Sequence, residues 1–216
     1  MVSILSDSTT QILLKEELRK VRILLQQNRN KTAKRHVKNL ISAHSVLQLY
    51  SVYSQSSPSS STKPFFTDTI LSVYADSKLP NEAAQIYNLI WEYGNFPSLS
   101  AFNKFLESLV SSSQFDKTLE IFADVVDSGI WLDRFSDGKA IQSVVKLENL
   151  KRGLELMNHM KKYSLNPNEF VYNVLIGAKI SVYSGALIHF SLFFPQKPVV
   201  TEIQSYPVPC SMDQRS

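Results

Sequence analysis

The stretch Phe96-Pro-Ser-Leu-Ser-Ala-Phe-Asn-Lys-Phe-Leu106 returns 35 residues later as Trp131-Leu-Asp-Arg-Phe-Ser-Asp-Gly-Lys-Ala-Ile141, and 35 further on as Asn166-Pro-Asn-Glu-Phe-Val-Tyr-Asn-Val-Leu-Ile176. Identities are few, but the apolar positions persist. Leu71, Leu106, Ile141 and Ile176 share one offset, and Ile86, Ile121 and Leu156 share another. The small residues Ala83, Thr118 and Gly153 align as well, while Pro97 and Pro167 mark unit ends with Leu132 between them. A fixed period of this length is the signature of stacked repeats, in which each unit has an apolar face that only its neighbours can cover. The expected fold is therefore all-α, an α-solenoid of helix-turn-helix units 64–98, 99–133 and 134–168, with a partial unit at 169–177.

Within each unit the apolar spacing predicts two helices. In the second unit Phe102, Phe105, Leu106 and Leu109 form one face, Ser111-Ser-Ser-Gln114 interrupts it, and Leu119, Ile121, Phe122 and Val125 form the next. Asp116 is placed to cap that second helix and Gly129 to end it. The fourth unit begins well at Phe170 and then loses the pattern. Lys179 falls in register with Tyr74, Leu109 and Val144, Ile188 with the small residues, and Pro195 inside what would be a helix. Residues 178–216 are accordingly read as an irregular tail, the truncated end of an array.

Upstream, Leu14, Leu18, Val21 and Leu25 predict a helix over 11–27, its stripe widened by Ile12, Leu13 and Leu24. A second helical segment is expected over about 32–53. Residues 1–53 thus form a basic helical segment, and the Ser/Pro-rich stretch 54–63 reads as a flexible connector.

Charge divides along the same line. Residues 11–40 carry nine basic and two acidic side chains, whereas 64–177 carry ten basic and fourteen acidic ones. The net charge of +4 therefore originates in the N-terminal segment. Such a segment is either a site of salt-sensitive attraction for phosphates or a solvated helix face. Asp7, Glu16 and Glu17 give the amino-terminal region only part of the composition of an organelle-targeting peptide. No stretch approaches the roughly 20 apolar residues of a membrane span. The single cysteine, Cys210, excludes an internal disulfide framework. His36, His44, His159 and His189 lack ligand spacing, and Asp124 and Asp127 read as a solvated helix face. With no glycine-rich phosphate loop, the residues predict neither an enzyme nor a cofactor, metal or small-molecule substrate.

The repeat resembles the pentatricopeptide repeat family, P subclass, of plant organelles. Residues Asn166–Ile176 carry the resemblance best, with 96–106 and 130–141 as looser copies, and it covers about half the chain. The resemblance implies a single-stranded RNA partner, read at about one base per repeat, in organelle RNA processing, stability or translation. It implies a mitochondrial or, alternatively, a plastid location. It also implies that first helices line the RNA-binding face. The fifth position of each unit, Asp68, Asn103, Gly138 and Asn173, would contact a base together with the last, Ser98, Asp133 and Asn168. A short amide suits that task because it both donates and accepts. Asn103/Asp133 resembles the family's uracil-favouring pair, while Asp68/Ser98 and Gly138/Asn168 depart from its usual combinations. Phe65, Ser100, Phe135 and Phe170 occupy the base-flanking position, where an aromatic ring either stacks on a base or packs between helices. For Asn103 and Asn173 the other reading is a helix-capping role. A helical scaffold that binds protein is the alternative to RNA binding.

Overall fold

The computed structural model describes residues 2–56 and 63–180, with side chains over 10–55 and 65–180. The expectations for Ile188, Pro195 and the remainder of the tail lie outside the described residues. The helical array belongs to one compact unit, which ends at Ala178.

Among the described residues every regular element is a helix: α1 (Val2–Gln26), α2 (Asn30–Ala43), α3 (Val46–Ser56), α4 (Lys63–Asp76), α5 (Pro80–Glu92), α6 (Leu99–Ser111), α7 (Phe115–Asp127), α8 (Arg134–Lys146) and α9 (Leu150–Lys162), then α10 (169–180). The first helices α2, α4, α6 and α8 lie side by side in chain order, and α1, α3 and α5 adjoin one another behind them. This is the α-solenoid that the 35-residue period predicts.

The turns repeat as strictly as the helices. Lys78, Ser113 and Glu148, each 35 residues apart, adopt φ of 57°, 58° and 60°, and Gly94, Gly129 and Ser164 adopt 67°, 74° and 61°. Each left-handed residue lets the next N–H reach back to a carbonyl five residues earlier: Leu79 to Tyr74 (3.1 Å), Gln114 to Leu109 (2.9 Å), Asn149 to Val144 (3.1 Å). The second turn closes alike, Asn95 to Ile90 at 3.1 Å and Ile130 to Val125 at 3.2 Å. These are the Schellman closures that satisfy the last carbonyls of a helix. Glycine marks only two of them, so the others arise where tertiary packing outweighs local preference.

The aligned small positions allow close helix approach. Ala83 and Thr118 are fully buried. A Cβ on Gly153 would stand 3.1 Å from Leu175 and 3.3 Å from Val145. One apolar cluster runs from Leu14 through Phe66 and Phe102 to Val125, and a second joins Ile141, Met160, Val171 and Leu175.

Several expectations are corrected. The segment over 32–53 is two helices: His44 is extended, and Ser45 and Gln48 form a reciprocal capping box (Ser45 N–H to Gln48 Oε1, 3.2 Å; Gln48 N–H to Ser45 Oγ, 3.3 Å) that starts α3. That helix runs through Ser56, into the stretch read as connector, and residues 57–62 lie outside the described residues. Ile12 and Leu13 do not widen the α1 stripe; they are 64% and 63% exposed, because Leu14, Leu18 and Val21 already fill the contact. Gln114, not Asp116, is the N-cap of α7, and Asp116 sits in its first turn, where its charge complements the helix dipole.

The N-terminal helices continue the packing of the array. Tyr53 of α3 stacks on Phe66 of α4 with centroids 3.7 Å apart, and α2 lies alongside α4.

Candidate nucleic-acid interface

The positions at issue sit on the first-helix layer. Asn103 lies more than one turn inside α6, so it does not cap its helix. Capping falls to the last residue of the preceding unit. The Ser98 hydroxyl accepts from Ala101 N–H at 3.3 Å, Asp133 Oδ1 accepts from Phe135 and Ser136 N–H at 3.0 Å each, and Asn168 Oδ1 accepts from Val171 N–H at 3.1 Å. Ser, Asp and Asn are favoured there because a short side-chain oxygen reaches the unpaired amides of the first turn.

In two of the units the last residue also meets the fifth residue of the same unit. In unit 99–133, Asn103 Nδ2 donates to Asp133 Oδ2 at 2.8 Å. The Ser136 hydroxyl donates to Asn103 Oδ1 at 2.6 Å and lies 3.1 Å from Asp133 Oδ1. In unit 64–98, Asp68 Oδ1 accepts from the Ser98 backbone N–H at 2.8 Å. In unit 134–168 no such pair forms, because Gly138 has no side chain; a Cβ there would stand 3.4 Å from the Phe170 ring. Asn173 is exposed on α10.

The four base-flanking positions differ. Phe65 is 65% exposed and Ser100 is exposed. Phe135 and Phe170 instead flank Lys139, whose ammonium lies 5.1 and 5.0 Å from their ring centroids, a cation–π arrangement. The same ammonium pairs with Glu107 and donates to Gln142 Oε1 at 3.3 Å. Both rings contact the lysine and still remain exposed to solvent, Phe135 at 44% and Phe170 at 38%.

Lys139, Lys104, Glu107 and Ser136 were missed from the sequence. A signal was present for two of them, since Lys104 and Lys139 are 35 residues apart, one place after the fifth position. A groove of about 430 Å³ is lined by Asp76, Asn103, Lys104, Glu107, Ser108 and Phe135 among others. Its acids are neutralised locally. Asp76 takes Lys104 at 3.1 Å and Lys34 of α2 at 3.8 Å, and Glu107 takes Lys139. Burial, and then Lys104 nearby, lower the Lys34 pKa. Lys31, Arg35 and Lys38 are exposed along α2, without an ion pair among the described residues. No group of three or more His, Cys, Asp or Glu able to hold a metal ion occurs among the described residues. No helix among them is long and apolar enough to cross a membrane.

No family model matches the chain. The mitochondrial pentatricopeptide repeat-containing protein At5g12100 of Arabidopsis thaliana is 38% identical over 152 residues, 68% of this chain and 18% of the relative. A second Arabidopsis pentatricopeptide repeat-containing protein, At4g11690, is 25% identical over 56% of this chain and 21% of its own length. This chain thus spans about a fifth of the curated relatives it matches. The crystal structure of maize PPR10 superposes with a TM-score of 0.53 at 16% identity, covering 75% of this chain and 23% of that one. The repeat domain of Arabidopsis protein-only RNase P 1, solved in complex with tRNA, gives 0.56 at 14% identity, covering 80% and 88%. The two solved structures share the fold, and the first relative shares the sequence. Together with the 35-residue unit and its recurrent turns, they place this chain in the pentatricopeptide repeat family, as found in plants.

Proposed function

We propose that this chain binds single-stranded RNA along its first-helix layer and acts, without catalysing a reaction itself, in mitochondrial RNA processing, stability or translation. The 38% identical relative is a mitochondrial protein, and the three successive 35-residue units favour the P subclass. The contact between Asn103 and Asp133 carries the reading. It sets an amide and a carboxylate side by side at 2.8 Å, on a polar groove. Such a pair offers a base edge a donor and acceptors held in place by Ser136 and by the α8 cap. Unit 99–133 is then the uracil-favouring reader. In unit 64–98, Asp68 and Ser98 supply a weaker polar edge, and Gly138 with Asn168 reads little. In the partial unit 169–177, Asn173 is the candidate base contact. Phe65, the most exposed of the three rings at the base-flanking position, is the ring that stacks on a base. The exposed Lys31, Arg35 and Lys38 supply phosphate contacts and salt sensitivity.

The test is the affinity of the full chain for a panel of short RNAs differing at one base, at two salt concentrations. The expected result is a preference for uracil at one position, lost in Asn103→Ala, with affinity falling as salt rises. Replacing Lys31, Arg35 and Lys38 by Gln should lower affinity uniformly and flatten the salt dependence by about two units of slope. Absence of RNA binding at low salt would overturn the proposal and leave the protein-binding scaffold as the reading.

A further inference from the structure

The 35-residue register exposes one place where a unit is built differently from its neighbour. In the second unit Phe102 is fully buried, its ring centroid 5.2 Å from Phe96 and 6.0 Å from Tyr87. One unit later the residue in register with Phe102 is Asp137, and the one in register with Phe96 is Trp131. An aromatic ring has been exchanged for a carboxylate at a core position, and the space is open. A pocket of about 230 Å³ lies there, and Asp137 lines it along with Val126, Trp131, Met160 and Tyr163.

Its walls are aromatic and its polar lining includes a carboxylate. Trp131 and Tyr163 stand edge to face with centroids 5.7 Å apart, and His159 lies 4.6 Å from Tyr163. The Asp137 carboxylate has neither a hydrogen-bond nor an ion-pair partner among the described residues. Burial, and then the Asp133 carboxylate one helical turn away, push its pKa up to about 6. A half-buried carboxylate without a cation is costly, and the usual compensation is a paired positive charge. A guanidinium answers both features at once, since it pairs with carboxylate oxygens and stacks on aromatic faces.

We propose that this pocket is a binding site for an organic cation of the alkylguanidinium type, whose head pairs with Asp137 and whose stem lies against Trp131, Tyr163 and Met160. The site is separate from the first-helix groove and does not depend on RNA binding.

The experiment titrates the full chain with n-butylguanidinium and follows the Trp131 indole and Gly129 amide resonances. Saturable shifts in both are expected. The neutral n-pentanol, of similar apolar length, should produce none. Asp137→Asn, which keeps the volume and removes the charge, should weaken binding about tenfold or more while leaving RNA affinity unchanged. Trp131→Ala, at a residue 74% exposed and so harmless to folding, should weaken it too, read through Gly129. A blocked tripeptide containing arginine that binds as tightly assigns the cation to a protein side chain; its exclusion assigns a free small molecule. Unmoved resonances, equal binding of the alcohol, or an unchanged affinity in a folded Asp137→Asn variant would each overturn the proposal.

Discussion

Units 99–133 and 134–168 share one backbone and differ in almost everything chemical. Their helices begin and end in register, and their turns place Ser113 and Glu148 at the same positive φ. The first has Phe102 in its core and the Asn103–Asp133 pair on its surface. The second has Asp137 and Gly138 at those places, with a pocket where the ring would be and a phenylalanine lying over the glycine. The stacking of helices evidently tolerates loss of a ring from one unit, because each unit is also held by its two neighbours. Side chains at the fourth and fifth positions are therefore free to diverge while the array persists.

The sharpest way to break this comparison is to remove the ring that only the first unit has. Phe102→Ala should cost about 3–5 kcal/mol, read by urea denaturation, whereas Asp137→Ala should cost little or nothing. Equal losses would show that the two units rely on the same core after all.

Next in size is the surface difference. Asn103→Ala should lower affinity for a uracil-containing RNA by about tenfold, within the usual 1–3 kcal/mol of a base contact, measured by fluorescence anisotropy. Asn168→Ala, in the unit with Gly138, should change it far less.

The reverse substitution sharpens the comparison from the other side. Asp137→Phe restores the ring of the preceding unit and should raise stability at neutral pH by about 1–2 kcal/mol, seen as a higher melting temperature. It should also remove a pH dependence. The folded-state carboxyl titrates near 6 against an ordinary value of 3.8, so the folded chain holds that proton more tightly than the unfolded one. The contribution of Asp137 to stability is thus complete below about pH 4 and is lost as pH rises through about 6. Denaturation across that window should show the decline in the natural chain and a smaller one in Asp137→Asn. The smallest effect concerns the cap. Asp133→Ala frees the Phe135 and Ser136 amides and should cost about 1 kcal/mol.

Much of this was legible in the sequence because burial repeats with the unit. Leu71, Leu106 and Ile141 align and are all fully buried, whereas Ile176 at the same offset of the partial unit is 54% exposed. Gly94 and Gly129 mark turns because the backbone there is left-handed. Lys78, Ser113 and Glu148 hold the same conformation with no residue type to announce it. The break at His44 was missed because a capping box within an apolar run, Ser45 to Gln48, interrupts the helix without interrupting its periodicity. At the candidate site, the fifth and last positions could be named, but the direct Asn103–Asp133 contact and the role of Ser136 could not. Those depend on how α8 is set against α6 across the unit boundary. Neither could the fate of Phe135 and Phe170, which turns on a lysine entering between them.

The sequence by itself determined that this chain is a stacked helical array of 35-residue units, because a recurring apolar face can be covered only by a copy of itself. It also determined which positions are candidates for reading a base. Tertiary structure alone decided which of them meet, which rings flank a lysine, and that Asp137 in the place of a phenylalanine leaves an aromatic pocket lined by a carboxylate. Those outcomes depend on distances between side chains on different helices, and spacing along the chain does not encode them.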